Sequence, residues 1–145
     1  MRQNFKEHYG SWALVAGGSN GLGGAWCDSL AKRGLNIVTI GRFKDTIEKK
    51  AQELRDNFGV EARAITADLS SEDMFEIIKK ETEDLEIGFL VYNAALTSPG
   101  YWEKIPLDSL LTQLYINCQG PLMLTHHFSQ KMVERKRGGI VIMSS

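Results

Sequence analysis

Short apolar runs that stop at glycine or at charge alternate along this chain with longer stretches whose apolar positions recur at helical spacing. Trp12 to Ala16 is apolar throughout and closes at Gly17, which is too short for a helix and reads as a buried strand. Leu22 to Arg33 places Leu22, Ala25, Trp26, Ser29 and Leu30 on one side and ends at Gly34, the pattern of a packed helix. Ile37 to Ile40 is a second strand, Asp45 to Phe58 a charged-faced helix closed by Gly59, and Ala62 to Ala67 a weaker strand whose Arg63 suits a sheet edge. Ser70-Ser71-Glu72-Asp73 reads as the cap of a helix to about Leu85, and Phe89 to Tyr92 as the fourth strand. A long amphipathic helix, from about Leu107 to Arg135 with Pro121 as a candidate kink, leads to a fifth strand, Ile140 to Met143.

Strand and helix therefore alternate strictly, with five strands and four main helices. Short apolar strands between helices predict a parallel sheet covered on both faces, a three-layer α/β/α, doubly wound arrangement. Right-handed crossovers then place a ligand at the carboxyl ends of the strands, where strand order reverses, just after the first and fourth strands. Residues 1–9 read as an N-terminal extension and residues 10–145 as one domain.

Composition narrows the ligand. A chain of 145 residues that is 43% hydrophobic and 24% charged forms one globular core, which excludes disorder. Its net charge of −1 shows no nucleic-acid footprint and points to a small-molecule partner. No run approaches the roughly 18 consecutive apolar residues of a membrane span, and the first residues carry no apolar signal core. Cys27 and Cys118 are too few for a disulfide framework and, lying within helical patterns, are expected to be buried thiols. The expectation is a cytoplasmic chain without membrane or nucleic-acid partners.

The candidate chemistry starts at the end of the first strand, where the chain runs Ala16-Gly17-Gly18-Ser19-Asn20-Gly21-Leu22-Gly23 into a helix. A diphosphate needs backbone N–H donors at close range and a helix amino end, and glycines leave that approach open. No charged residue stands between Gly17 and Trp26 to compete with it. The spacing is Gly-x-x-x-Gly-x-Gly, not Gly-x-Gly-x-x-Gly, and it lacks the Gly-Lys-Ser/Thr of an ATP-type loop. A ligand-free glycine turn stays open at this point. After the second strand, Gly41-Arg42-Phe43-Lys44 offers positive charge where an acidic residue would bind the ribose hydroxyls of NAD. Arg42 thus favours the 2′-phosphate of NADP(H) over NAD.

Taken together, these residues resemble the short-chain dehydrogenases/reductases, from about Gly10 to the end of the chain. Gly17-x-x-x-Gly21-x-Gly23, with Ser19, Asn20 and Leu22 inside it, is similar to that family's cofactor turn, and Asp68-Leu69 to its adenine contact. Asn93-Ala94-Ala95 resembles its Asn-Asn-Ala-Gly, with Tyr92 and Ala95 departing from it. Asn117 resembles the active-site asparagine, and Ser144-Ser145 the serine pair whose second member is catalytic. Tyr9-Gly10-Ser11-Trp12-Ala13 and Leu30-Ala31-Lys32-Arg33-Gly34 are similar to the branch with 3-ketoacyl-CoA reductases and 17β-hydroxysteroid dehydrogenases, whose members use NADPH.

The resemblance implies a Rossmann fold and hydride transfer between nicotinamide and a ketone or secondary alcohol. It assigns Ser145 to hold the carbonyl oxygen and Asn117 to position water for a proton relay. It also demands a Tyr-x-x-x-Lys. The residues four beyond Tyr9, Tyr92, Tyr101 and Tyr115 are Ala13, Leu96, Ile105 and Gln119, so none fits. The expectation is the cofactor-binding N-terminal portion of an oxidoreductase, truncated after the fifth strand and catalytically silent. The alternative is a non-catalytic dinucleotide-binding or self-associating module. An uncharged edge at 140–143 predicts a homo-oligomer, with Leu111, Leu114 and Leu122 as further exposed apolar contacts. Tyr101 and Trp102 are candidate walls of a substrate pocket or anchors of their own loop.

Overall fold

The computed structural model describes residues 4–144. Five strands, β1 (Trp12–Ala16), β2 (Asn36–Gly41), β3 (Ala62–Thr66), β4 (Ile87–Tyr92) and β5 (Gly139–Ile142), form one parallel sheet in the order β3-β2-β1-β4-β5. The order reverses between β1 and β4, which opens a crevice at their carboxyl ends. All of β1 is buried, because helices cover both faces of the central strand.

Alternation along the strands splits the core in two. Leu14, Ala16, Leu90 and Tyr92 point to one face and pack with Ile78, Leu124 and Phe128. Ala13, Val15, Ile37 and Val91 point to the other and pack with Cys27, Leu30 and Leu54. The second face is covered by α2 (Gly21–Lys32) and α3 (Lys44–Phe58), and the first by α4 (Met74–Glu81) and α6 (Gly120–Glu134). Gly59 ends α3 in the left-handed conformation, at φ 66°, and returns its N–H to the Arg55 carbonyl. The weak strand β3 is an edge strand, where Arg63 pairs with Asp84 at 2.8 Å.

Five details differ from the sequence expectation. The N-terminal segment carries a helix of its own, α1 (Phe5–Tyr9), whose Tyr9 ring meets Phe89 edge-on with centroids 4.9 Å apart. The helix expected to reach Leu85 is only α4, because the chain turns at Thr82, whose hydroxyl donates to the Ile78 carbonyl. Ser70 does not cap it; Ser70 donates to Asp68 instead.

The long helix is broken rather than kinked. It consists of α5 (Leu107–Leu114), a π turn over Tyr115–Gln119, and α6, with Pro121 seated in the first turn of α6. A π turn inserts about one residue, roughly 100° of rotation, into the helical phase. That rotation carries Cys118 to the surface, against the expectation of a buried thiol; Cys27 is buried.

Candidate functional site

The carboxyl ends of β1, β2 and β4 are stitched together by backbone hydrogen bonds. Gly17 and Gly18 N–H groups both donate to the Ile40 carbonyl, at 2.9 and 3.3 Å, and those of Asn93 and Ala94 both donate to the Ala16 carbonyl, at 3.0 Å each. The Asn93 side chain adds a bond from Nδ2 to the Gly17 carbonyl at 3.3 Å. The glycine turn is therefore a fixed shelf between two strand ends.

Its glycines divide by what surrounds them. A Cβ on Gly23 would lie 1.9 Å from the Gly17 carbonyl oxygen, and one on Gly18 would lie 2.6 Å from Thr39 Oγ1, so these two are glycine because the helix packs onto the strand. Gly17, at φ 80°, is pressed against Ala94. Gly21 is different: at φ 55° it has nothing within 4 Å of a Cβ position, and its open side faces out of the turn. Of the glycines expected to clear a path for a ligand, Gly21 has the open side, while Gly17, Gly18 and Gly23 hold the shelf.

The amino end of α2 lies beside Gly21. Asn20 occupies the cap position without making a side-chain cap bond, and the first bond back to it comes from Gly24 N–H, at 3.0 Å. The leading N–H groups of the helix thus retain free donor capacity at its positive end. Leu22 is exposed there and Ser19 is half-buried.

Arg42 stands exposed after β2, with its guanidinium 5.4 Å from the Phe43 ring and in no ion pair among the described residues. Asp68 follows β3 and accepts from Ser70 N and Oγ, at 2.9 and 2.7 Å. Those bonds, with a smaller contribution from the positive Arg42, hold its carboxyl below the ordinary carboxylate range. Leu69 is buried in the core beneath it. Ala94 and Ala95 continue from Asn93 along the β4 side of the crevice.

Asn117 lies in the π turn, and its amide closes a two-way pair with one backbone unit. Oδ1 accepts from Leu96 N at 2.9 Å, and Nδ2 donates to the Leu96 carbonyl at 2.7 Å. The side chain of Asn117 is thus committed to the loop after β4, which it fastens. Ser145 lies outside the described residues. Tyr101 and Trp102 are exposed on the far loop.

Sequence reasoning missed two supports. Lys50 is buried and pairs with Asp28 at 2.7 Å, tying α3 to α2 beneath the turn. Tyr92 is buried and donates its phenol to the Ile116 carbonyl at 2.6 Å, and burial pushes its ionisation far above the ordinary tyrosine range, so it stays a donor. The available signal for Tyr92 was the Gly120-Pro121 pair inside an apparent helix. Glycine there admits the phenol ring and proline removes a helix N–H.

Comparison with known proteins agrees with this geometry. The family model described as short chain dehydrogenase matches residues 11–145. The chain is 36% identical over 140 residues to the very-long-chain 3-oxoacyl-CoA reductase of Homo sapiens, covering 94% of this chain and 45% of that protein. A solved structure of a 7β-hydroxysteroid dehydrogenase superposes with a TM-score of 0.95 at 32% identity, over 98% of this chain and 55% of the other. A short-chain dehydrogenase from Sphingobium yanoikuyae in complex with NADPH superposes with a TM-score of 0.88 at 26% identity, over 93% and 54%. The chain spans about half the length of the proteins it matches. With that family model spanning residues 11–145 and the reversed strand order of the sheet, the chain belongs to the short-chain dehydrogenase family.

Proposed function

We propose that this chain is the cofactor-holding part of an NADP(H)-dependent oxidoreductase that acts on a ketone or secondary alcohol. The observation that carries the reading is the conjunction of a helix amino end without a side-chain cap, the open Gly21 and the exposed Arg42, which makes no ion pair among the described residues, at the strand-order reversal. Free N–H donors at a helix end suit a diphosphate, and a cation one strand away suits a further phosphate on the ribose.

In this reading Gly17, Ser19, Asn20, Gly21, Leu22 and Gly23 hold the diphosphate. Arg42 takes the 2′-phosphate, Asp68 and Leu69 border the adenine, and Asn93, Ala94 and Ala95 border the ribose on the nicotinamide side. When bound, nicotinamide supplies or accepts the hydride. Asn117 holds the adjoining loop, and Ser145 binds the carbonyl oxygen. The proton donor required by the reaction is not among the tyrosines of this sequence, so the 145-residue polypeptide is expected to bind cofactor without turnover. The names of the relatives, one acting on very-long-chain 3-oxoacyl-CoA and one on the 7β-hydroxyl of a steroid, support a bulky, lipid-like carbonyl as substrate.

Fluorescence titration with NADPH and NADH tests this. Saturable NADPH binding at least roughly tenfold tighter than NADH supports the reading. No binding of either would end it.

A second reading, a self-associating module, is favoured by the edge strand β5, where Ile140 is 39% and Ile142 is 53% exposed. Leu111, Leu114 and Leu122 are exposed as well.

A further inference from the structure

The π turn leaves one carbonyl without a helical donor. Gly120 N–H donates to the Tyr115 carbonyl, so it is drawn away from Ile116, and the next residue, Pro121, has no N–H to offer. The Ile116 carbonyl is buried and would be costly to leave unpaired. Tyr92, at the end of β4, fills the vacancy: its phenol lies 2.6 Å from that oxygen and is 2% exposed. The fit is tight against Gly120, where a Cβ would lie 2.3 Å from the Tyr92 oxygen. One residue past Ile116 stands Asn117, and both of its amide atoms hold Leu96, in the loop that leaves β4 directly after Tyr92.

Three hydrogen bonds at two points thus close a ring of chain: β4, Tyr92, Ile116, Asn117, Leu96 and back to β4. We propose that Tyr92 is a positioning residue, whose hydroxyl sets the π turn and through Asn117 fixes the 93–96 loop at the rim of the cofactor crevice. This deepens the cofactor reading and rests on it for its consequence, while the ring itself is a property of the chain. Tyr92→Phe keeps the ring that fills the core and removes only the hydroxyl. Pro121→Ala gives residue 121 an N–H able to serve the freed carbonyl.

The test is residue-resolved hydrogen exchange at the Leu96 amide on the full chain, with NADPH titration alongside. Tyr92→Phe is expected to speed Leu96 exchange by roughly three- to tenfold relative to the β1 amides and to weaken NADPH by a similar factor. Adding Pro121→Ala is expected to recover most of both. In an Asn117→Ala background, where Leu96 is already released, Tyr92→Phe should add little to its exchange. Faster exchange spread evenly over the sheet, with Leu96 unremarkable, would show that the hydroxyl only stabilises the fold and would overturn the proposal. If the wild-type chain binds no NADPH, the cofactor reading fails, and the Leu96 exchange still decides the role of Tyr92.

Discussion

Gly23 and the Gly17 carbonyl are in such close approach that a methyl group on Gly23 would overlap the oxygen, at 1.9 Å. The helix that presents its amino end to the crevice packs onto the turn here with no room for a side chain. Gly23→Ala must push α2 off β1, and a loss of about 3 kcal/mol or abolished folding is expected in denaturant unfolding. Gly21→Ala has open space and suffers only its backbone angle, φ 55°, at about 1–2 kcal/mol. If both variants lose equal stability, the division of the glycines into packing and open positions is wrong.

Among the described residues Arg42 makes no ion pair, and its pull on Asp68 is only a minor one, so its removal should leave the fold intact. Arg42→Ala is expected to weaken NADPH by roughly 10–100-fold, the range for losing charge-assisted bonds to a phosphate, while NADH binding changes little. Equal losses for the two dinucleotides in a calorimetric titration would show that Arg42 does not select between them.

Strand β5 presents alternate exposed isoleucines along an unpaired edge, and the described chain carries no charge there from Gly139 to Met143. Pairing across a two-fold axis would cover it. The chain, 16.2 kDa, is expected to sediment at roughly twice that mass at high concentration, and Ile142→Lys to return it to monomer. A wild-type monomer across a hundredfold range of concentration would count against the edge as an interface.

How much of this was readable beforehand depends on whether a residue's partners were local. β1 and β4 were legible because buried central strands are apolar without interruption, and the end of α3 was legible in Gly59. The crevice followed from strand alternation. Helix α1 was not legible, since five residues cannot nucleate a helix alone; Phe5 and Tyr9 gain theirs from Arg33 and Phe89. The commitment of Asn117 to Leu96 was equally hidden, because it spans 21 positions and depends on a π turn that helical periodicity reads straight through. Pro121 was visible as an irregularity, but its meaning lay in Tyr92, on a different element.

His127 on α6 offers a pH test of how α6 is held against α4. Its ring meets Phe75 of α4 edge-on, with centroids 5.4 Å apart. Burial is the main reason its ionisation falls below the ordinary value of 6.5, and the positive Lys131 and Lys79 press the same way against an opposing Glu76. The unfolded chain therefore binds a proton at His127 before the folded one does. Its contribution is fully present above pH 6.5 and is lost as pH falls from there through the lower folded value. Unfolding by urea at a series of pH values should show stability declining below about pH 6.5, and His127→Gln, which cannot take the proton, should flatten that decline. An unchanged slope in the variant would place the titration elsewhere, and the α4–α6 contact would then carry no proton-linked strain.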